Sequence, residues 1–217
     1  MVVKKPVVTY TLLGINVIVF VLMTLAGGSE SIGVLVDFGA KVNSLIIAGQ
    51  WWRLIPPMFL HIGFEHLVLN MITLYFVGIQ LEGILGRVRF LAVYLVSGVA
   101  GNLASFAFNP NALSAGASTA LFGLFGIYLM MGESFSSNPY IRAMARQFLL
   151  LVVLNIVFGF YGSVDLAGHI GGLIGGFLIG YCVGVPRVGN VPLPKRVVSG
   201  LALVCLCIMM FTLGFKN

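Results

Sequence analysis

Two residues in this chain have the chemistry of acyl transfer and sit where polar side chains are expensive. Ser118 lies in Gly116-Ala117-Ser118-Thr119-Ala120-Leu121-Phe122-Gly123, and His169 in Gly168-His169-Ile170-Gly171-Gly172, each at the start of an apolar run. A serine hydroxyl is a poor nucleophile until a base within hydrogen-bond reach takes its proton. Neutral imidazole suits that task near pH 7. Left unpartnered in hydrocarbon, either group costs kilocalories. For the two to meet, their backbones must approach closely, and small residues allow it. Gly172, Gly176, Gly180 and Gly184 recur every four positions after Gly168, and His169 shares a face with Gly172 and Gly176. The serine run supplies Gly116, Ala117, Ala120, Gly123 and Gly126. Such rows are also ordinary packing seams, and a lone membrane serine often bonds its own backbone. A histidine at matching depth on a glycine-smooth face favours chemistry.

His66 and Asn70 are four apart, hence on one helical face, and both offer N–H donors suited to a developing oxyanion. The alternative is that they cap the adjoining loop. With His61 nearby, a metal site of His61, His66 and His169 is a rival, but no carboxylate or thiolate falls at an obvious ligand position. Glu65 points to a different face. Asp165, one turn before His169, has the position of a triad acid; a carboxylate there more naturally caps the helix N-terminus. Phe122, one turn beyond Ser118, either lies against the histidine or faces lipid or core. Asn16, Asn102 and Asn155 are expected to bond across helices, and Cys182, Cys205 and Cys207 to be small core residues rather than disulfide or metal partners.

The elements that must position these groups are membrane spans. The chain is 59% hydrophobic and 8% charged, with a mean hydropathy of +1.08, whereas soluble domains carry about 25% charged residues. The 217 residues leave room for several spans and no soluble domain. The run from about 7 to 26 is longer than a signal-peptide core and reads as a retained first span. Residues 28 to 63 are too interrupted to cross, and Trp51, Trp52 and Arg53 suit a headgroup-level interface. Further spans are predicted at about 64–82, 90–108, 115–131, 148–162, 166–185 and 197–215, making a single all-α polytopic membrane domain. Glu133, Asn138-Pro139, Arg142 and Arg146 read as a connector, and Pro186, Pro192, Pro194, Lys195 and Arg196 as a linker.

The +6 net charge does not point to nucleic acid, because the cations fall in short clusters between apolar runs. With the N-terminus inside, Lys4, Lys5, Arg87, Arg89, Arg142, Arg146, Arg187, Lys195 and Arg196 are cytoplasmic, and only Lys41, Arg53 and Lys216 lie outside. Spans two, four and six then enter from the outer side, and His66, Asn70, Ser118 and His169 fall within their first two turns, at one shallow depth. Ser118 is expected about one turn into its span.

From about Phe38-Gly39-Ala40 to Gly180 the chain resembles the rhomboid intramembrane serine proteases. The resemblance rests on Trp52-Arg53, on His61, His66 and Asn70, and on Glu82 with Gly86 and Arg89. It rests also on Gly116-Ala117-Ser118 and Gly168-His169-Ile170-Gly171-Gly172. It implies a six-helix core, about 7–186, with one additional C-terminal span at about 197–215. It implies a Ser118–His169 dyad without a required acid or cofactor, Ser118 as nucleophile and His169 as base. His66, Asn70 and the Ser118 backbone N–H would form the oxyanion hole, with His61, Gly116 and Phe122 in support. Substrates would be transmembrane proteins, met past a mobile fifth helix in the bilayer of a bacterial cell membrane and cut near its outer side. Thr119 departs from the family, where glycine usually follows the serine. The competing classes are a non-catalytic rhomboid-like client binder and a transporter. Retention of both Ser118 and His169 argues against the first, and the shallow cluster without a matching repeat against the second.

Overall fold

Backbone polar groups in hydrocarbon must be satisfied within the segment that carries them, so long apolar runs become helices. The computed structural model describes residues 5–159 and 164–216; Lys4 and the expected end of the fifth span at Gly162 lie outside them. The helices are α1 (Val7–Leu25), α2 (Ile32–Asp37), α3 (Asn43–Ile47), α4 (Phe64–Leu85), α5 (Arg87–Phe108), α6 (Ser118–Ser134), α7 (Pro139–Gly159), α8 (Leu166–Val183) and α9 (Leu193–Gly214). Among the described residues the only β pairing is a bridge between Lys41 and Ser114. The protein is an all-α, integral multi-pass membrane protein. Among the described residues six helices, α1, α4, α5, α7, α8 and α9, are long and apolar enough to cross a bilayer. The seventh, α6, has 17 residues, about 25 Å of rise. It is almost wholly buried, packed between α5 and α8 at the centre of the bundle with α7 on its other side.

Several helix boundaries differ from those the apolar runs suggest, most of all at the starts of α6, α7 and α9. Helix α6 begins at Ser118 itself rather than a turn earlier, because Gly116 adopts φ 143° and donates its N–H to Pro57 O at 2.8 Å. Helix α7 begins at Pro139, not near Phe148. Asn138 Oδ1 accepts from the N–H groups of Tyr140 at 3.0 Å and Ile141 at 3.3 Å, an N-cap ahead of a proline at the first helical position. Arg142 and Arg146 therefore ride on the helix, exposed, rather than in a connector. Helix α9 starts at Leu193, with Pro194 in its first turn where a missing N–H costs nothing. Gly184, the last member of the glycine row, ends α8 with φ 68° and meets no neighbour.

The segment between α1 and α4 folds over the bundle through α2, α3 and two single 3₁₀ turns, 51–54 and 56–59. Arg53 does not project outward beside the exposed Trp51 and Trp52. It is buried, donating to Gln50 Oε1 at 2.6 Å and to the carbonyls of Val36 at 2.7 Å and Ala40 at 3.2 Å, with its guanidinium 4.6 Å from the Trp52 ring. Phe211 of α9 meets Trp51 edge-on at 5.6 Å, so the C-terminal helix seats this segment from beside α5 and α8. Glu82 near the end of α4 accepts from the N–H groups of Val8 at 3.0 Å and Thr9 at 2.7 Å, binding the start of α1. Asn102 reaches across to Leu54 O at 2.9 Å, while Asn16 and Asn155 donate one turn back within their own helices. The three cysteines are free, and none is fully enclosed: Cys205 is exposed, Cys182 is half-buried, and Cys207 is half-buried against the core cluster that holds Leu103 and Phe106.

Candidate active site

Helices α4, α6 and α8 run the same way, so their N-termini gather at one end of the bundle. His66 is the third residue of α4 and Asn70 the seventh; Ser118 opens α6, and His169 is the fourth residue of α8. The α6–α8 crossing has no room for side chains. A methyl on Gly172 would strike the Thr119 carbonyl, one on Gly176 the Gly123 carbonyl, and one on Gly126 the Leu173 carbonyl. A second row that the every-fourth pattern did not single out, Gly171 and Gly175, faces Ala104 and Ala100 of α5. Its signal was the doubled glycine of Gly171-Gly172 and Gly175-Gly176. Thr119 fits at this junction because Gly101 and Gly168 yield to it; a methyl on either would lie 2.7 Å from its Cβ or 3.1 Å from its Cγ2, respectively.

The loop before Ser118 is shaped by the histidines. The Cβ position of Gly116 lies 2.8 Å from His66 Nε2 and 3.4 Å from Ser118 Oγ, so a side chain there would fill the space between them. His61, fully buried, accepts from the Ala117 N–H through Nε2 at 3.4 Å and meets the His66 ring at 5.2 Å, inclined by 66°. Burial first, and the neighbouring His66 second, push its pKa down to about 3 against a backbone hydrogen bond at Phe59. It is a neutral acceptor that holds the residue before Ser118.

Phe122 lies against the imidazole of His169: the two rings stack at 4.1 Å and 19°. His169 is buried, and its Nδ1 has no hydrogen-bond partner. Asp165 therefore does not act on it as a triad acid would. It caps α8 instead, accepting from the Gly168 N–H at 3.1 Å. Burial raises its carboxyl pKa, but hydrogen bonds from Ser114, Asn109 and Gly168, with the Ser105 hydroxyl nearby, outweigh that and hold it below the ordinary value. Asn70 donates one amide proton to His66 O at 2.8 Å, leaving the other N–H.

A cavity of about 800 Å³ joins these groups. Ser118, His169, His66 and Asn70 all line it, and it continues between α4 and α7 past Phe76 and Phe148. A hydroxyl, an imidazole and two further donors thus border one space with apolar walls, an arrangement suited to acyl transfer at a peptide carbonyl. Among the described residues no three His, Cys, Asp or Glu side chains form a group able to hold a metal ion, so the trio His61, His66 and His169 is not assembled as one.

Residues 48–186 match the rhomboid domain family. The chain is 41% identical over 214 residues to the rhomboid protease GluP of Bacillus subtilis (strain 168), which covers 98% of this chain and 41% of that protein. It is 39% identical over 145 residues to Rhomboid-like protease 1 of Toxoplasma gondii, covering 64% of this chain and 50% of that one. It is 38% identical over 176 residues to RHOMBOID-like protein 5 of Arabidopsis thaliana, covering 78% and 56%. The chain spans about half the length of these relatives.

Proposed function

The chain belongs to the rhomboid family, and on that footing we propose that it is an intramembrane serine endopeptidase. The observation that carries this reading is the single cavity bordered by Ser118, His169, His66 and Asn70. Ser118 Oγ attacks the scissile carbonyl while His169 takes its proton and returns it to the leaving amine; water, deprotonated by His169, then hydrolyses the Ser118 ester, releasing the acid fragment and restoring the hydroxyl. The oxyanion is met by the Ser118 backbone N–H, the His66 ring and the free N–H of Asn70. The α6 N-terminus adds its own partial positive charge there, because the N–H groups of its first turn have no intrahelical acceptor. No cofactor enters these steps. Residues of about 7–186 form the catalytic core, and α9 is an addition that braces it.

The substrates are transmembrane proteins, and the apolar length of the cavity between α4 and α7 supports that choice. A spanning helix has its backbone satisfied internally, so attack requires local unwinding. The charge distribution supports an orientation with the N-terminus cytoplasmic and the cavity's polar end toward the outer face of a bacterial cell membrane. Cleavage then falls near the substrate's outer boundary. Reconstituted protein and a single-span substrate test this. Wild type is expected to release an ectodomain ending within a few residues of that boundary, with Gly or Pro placed there speeding release by easing unwinding. Ser118→Ala and His169→Ala are expected to release none. Clear turnover by Ser118→Ala, or cleavage at the opposite end, overturns the assignment.

A further inference from the structure

Ser114 stands four residues before Ser118, and Asp165 four residues before His169. These two upstream residues are bonded: Ser114 Oγ donates to Asp165 Oδ2 at 2.6 Å, a short charge-assisted hydrogen bond. The other carboxylate oxygen accepts from the Gly168 N–H at 3.1 Å and from Asn109 Nδ2 at 3.2 Å. One carboxylate thereby binds the first turn of α8, the end of α5 and the loop leading to α6.

That loop is held from behind as well. Ser114 exchanges backbone hydrogen bonds with Lys41, at 3.0 and 3.1 Å, and its Oγ lies 3.0 Å from Ser105 Oγ of α5. Lys41 is fully buried, and its Nζ donates to the carbonyls of Asn109 at 2.7 Å and Ala112 at 3.2 Å. Burial draws its pKa down to about 8 while the charge of Asp165 works the other way. Capping α8 needs only the bond to Gly168; the contacts to Ser114 and Asn109 are surplus to a cap and tie helix to loop.

We propose that Asp165 is a positioning residue for the reaction. Through Ser114 its carboxylate sets the Ser118 segment against the His169 helix, and so the distance between nucleophile and base. The inference rests on the Ser118–His169 reading above. A misplacement of about 1 Å can cost on the order of 10²-fold in rate, so a bond four residues from both groups has leverage over turnover without touching substrate.

The test separates bridge from cap. Asp165→Ser keeps a good capping residue and removes the carboxylate; Ser114→Ala leaves the cap untouched. The double variant Ser114→Asp with Asp165→Ser returns a carboxylate to the other end of the pair. Each is assayed as the full chain on a transmembrane substrate, with kcat and KM measured separately and thermal unfolding followed in detergent. Both single variants are expected to lose about tenfold or more in kcat with KM within about twofold, and the double variant to exceed Asp165→Ser in kcat. Wild-type kcat in both singles, a rise in KM with kcat intact, or a double variant no better than Asp165→Ser overturns the proposal. If Asp165→Ser does not fold, Ser114→Ala decides between the same outcomes. A parallel Ser118→Ala control keeps the two claims apart. Cleavage by that control defeats the catalytic reading itself, whereas an inert control beside a fully active Asp165→Ser defeats only the positioning role.

Discussion

Replacing Gly172 with alanine tests whether the α6–α8 crossing sets the catalytic geometry. The added methyl would lie 2.9 Å from the Thr119 carbonyl carbon and nearer still to its oxygen. Carbon contacts relax to about 3.5–4.0 Å, so α8 must draw back from α6 by on the order of 1 Å. Overpacking of this kind costs about 1–3 kcal/mol of stability. His169 is three residues from the collision, and displacing it by that amount is expected to lower turnover by about 10²-fold. Gly83→Ala is the matched control, because nothing lies within 4 Å of its Cβ position in α4. There the same substitution is expected to leave turnover unchanged and to stabilise slightly, by about 0.5–1 kcal/mol. The assay is cleavage of a reconstituted transmembrane substrate beside thermal unfolding of each variant. Full turnover by Gly172→Ala, or an equal loss in Gly83→Ala, refutes the reasoning.

His66→Ala and Asn70→Ala are each expected to lower kcat by about 10–10³-fold, as loss of one oxyanion donor does, with substrate binding little changed; loss of folding instead of turnover assigns them to structure. His61 gives a pH dependence of stability. Its ordinary pKa of 6.5 falls to about 3 in the folded protein, so as pH drops through that window the unfolded chain takes up a proton that the native state refuses. Stability therefore falls between those values, and His61→Gln is expected to flatten that part of the unfolding-midpoint profile; an unchanged slope contradicts the buried neutral assignment.

Much of the bundle is legible in the sequence because hydrocarbon leaves helices as the answer to a long apolar run. Ser118, His169, His66 and Asn70 stand out because polar groups in such runs need partners. Helix ends are less legible. Arg142 and Arg146 look like connector residues, yet an exposed face of α7 tolerates them, and the capping by Asn138 shows only in three dimensions. The fold of residues 28 to 63 is opaque for a different reason: it depends on Arg53 reaching back to the carbonyls of Val36 and Ala40, several turns upstream in the chain. Lys41 carries one signal, as one of three cations on the sparse side of the charge distribution. Nothing in the pattern places its amine beneath the loop that leads to Ser118. Cys205 misleads because lipid tails are as apolar as a protein core, so an apolar run does not say which side a residue faces.

The central claim is that Ser118 is a nucleophile activated by His169. A fluorophosphonate probe on the full chain in detergent, followed by mass spectrometry of the adduct, tests it most directly. The expected result is one covalent adduct, on Ser118, with labelling lost in His169→Ala although that variant unfolds at the same temperature as wild type. An adduct on another residue, or undiminished labelling of Ser118 without His169, contradicts it.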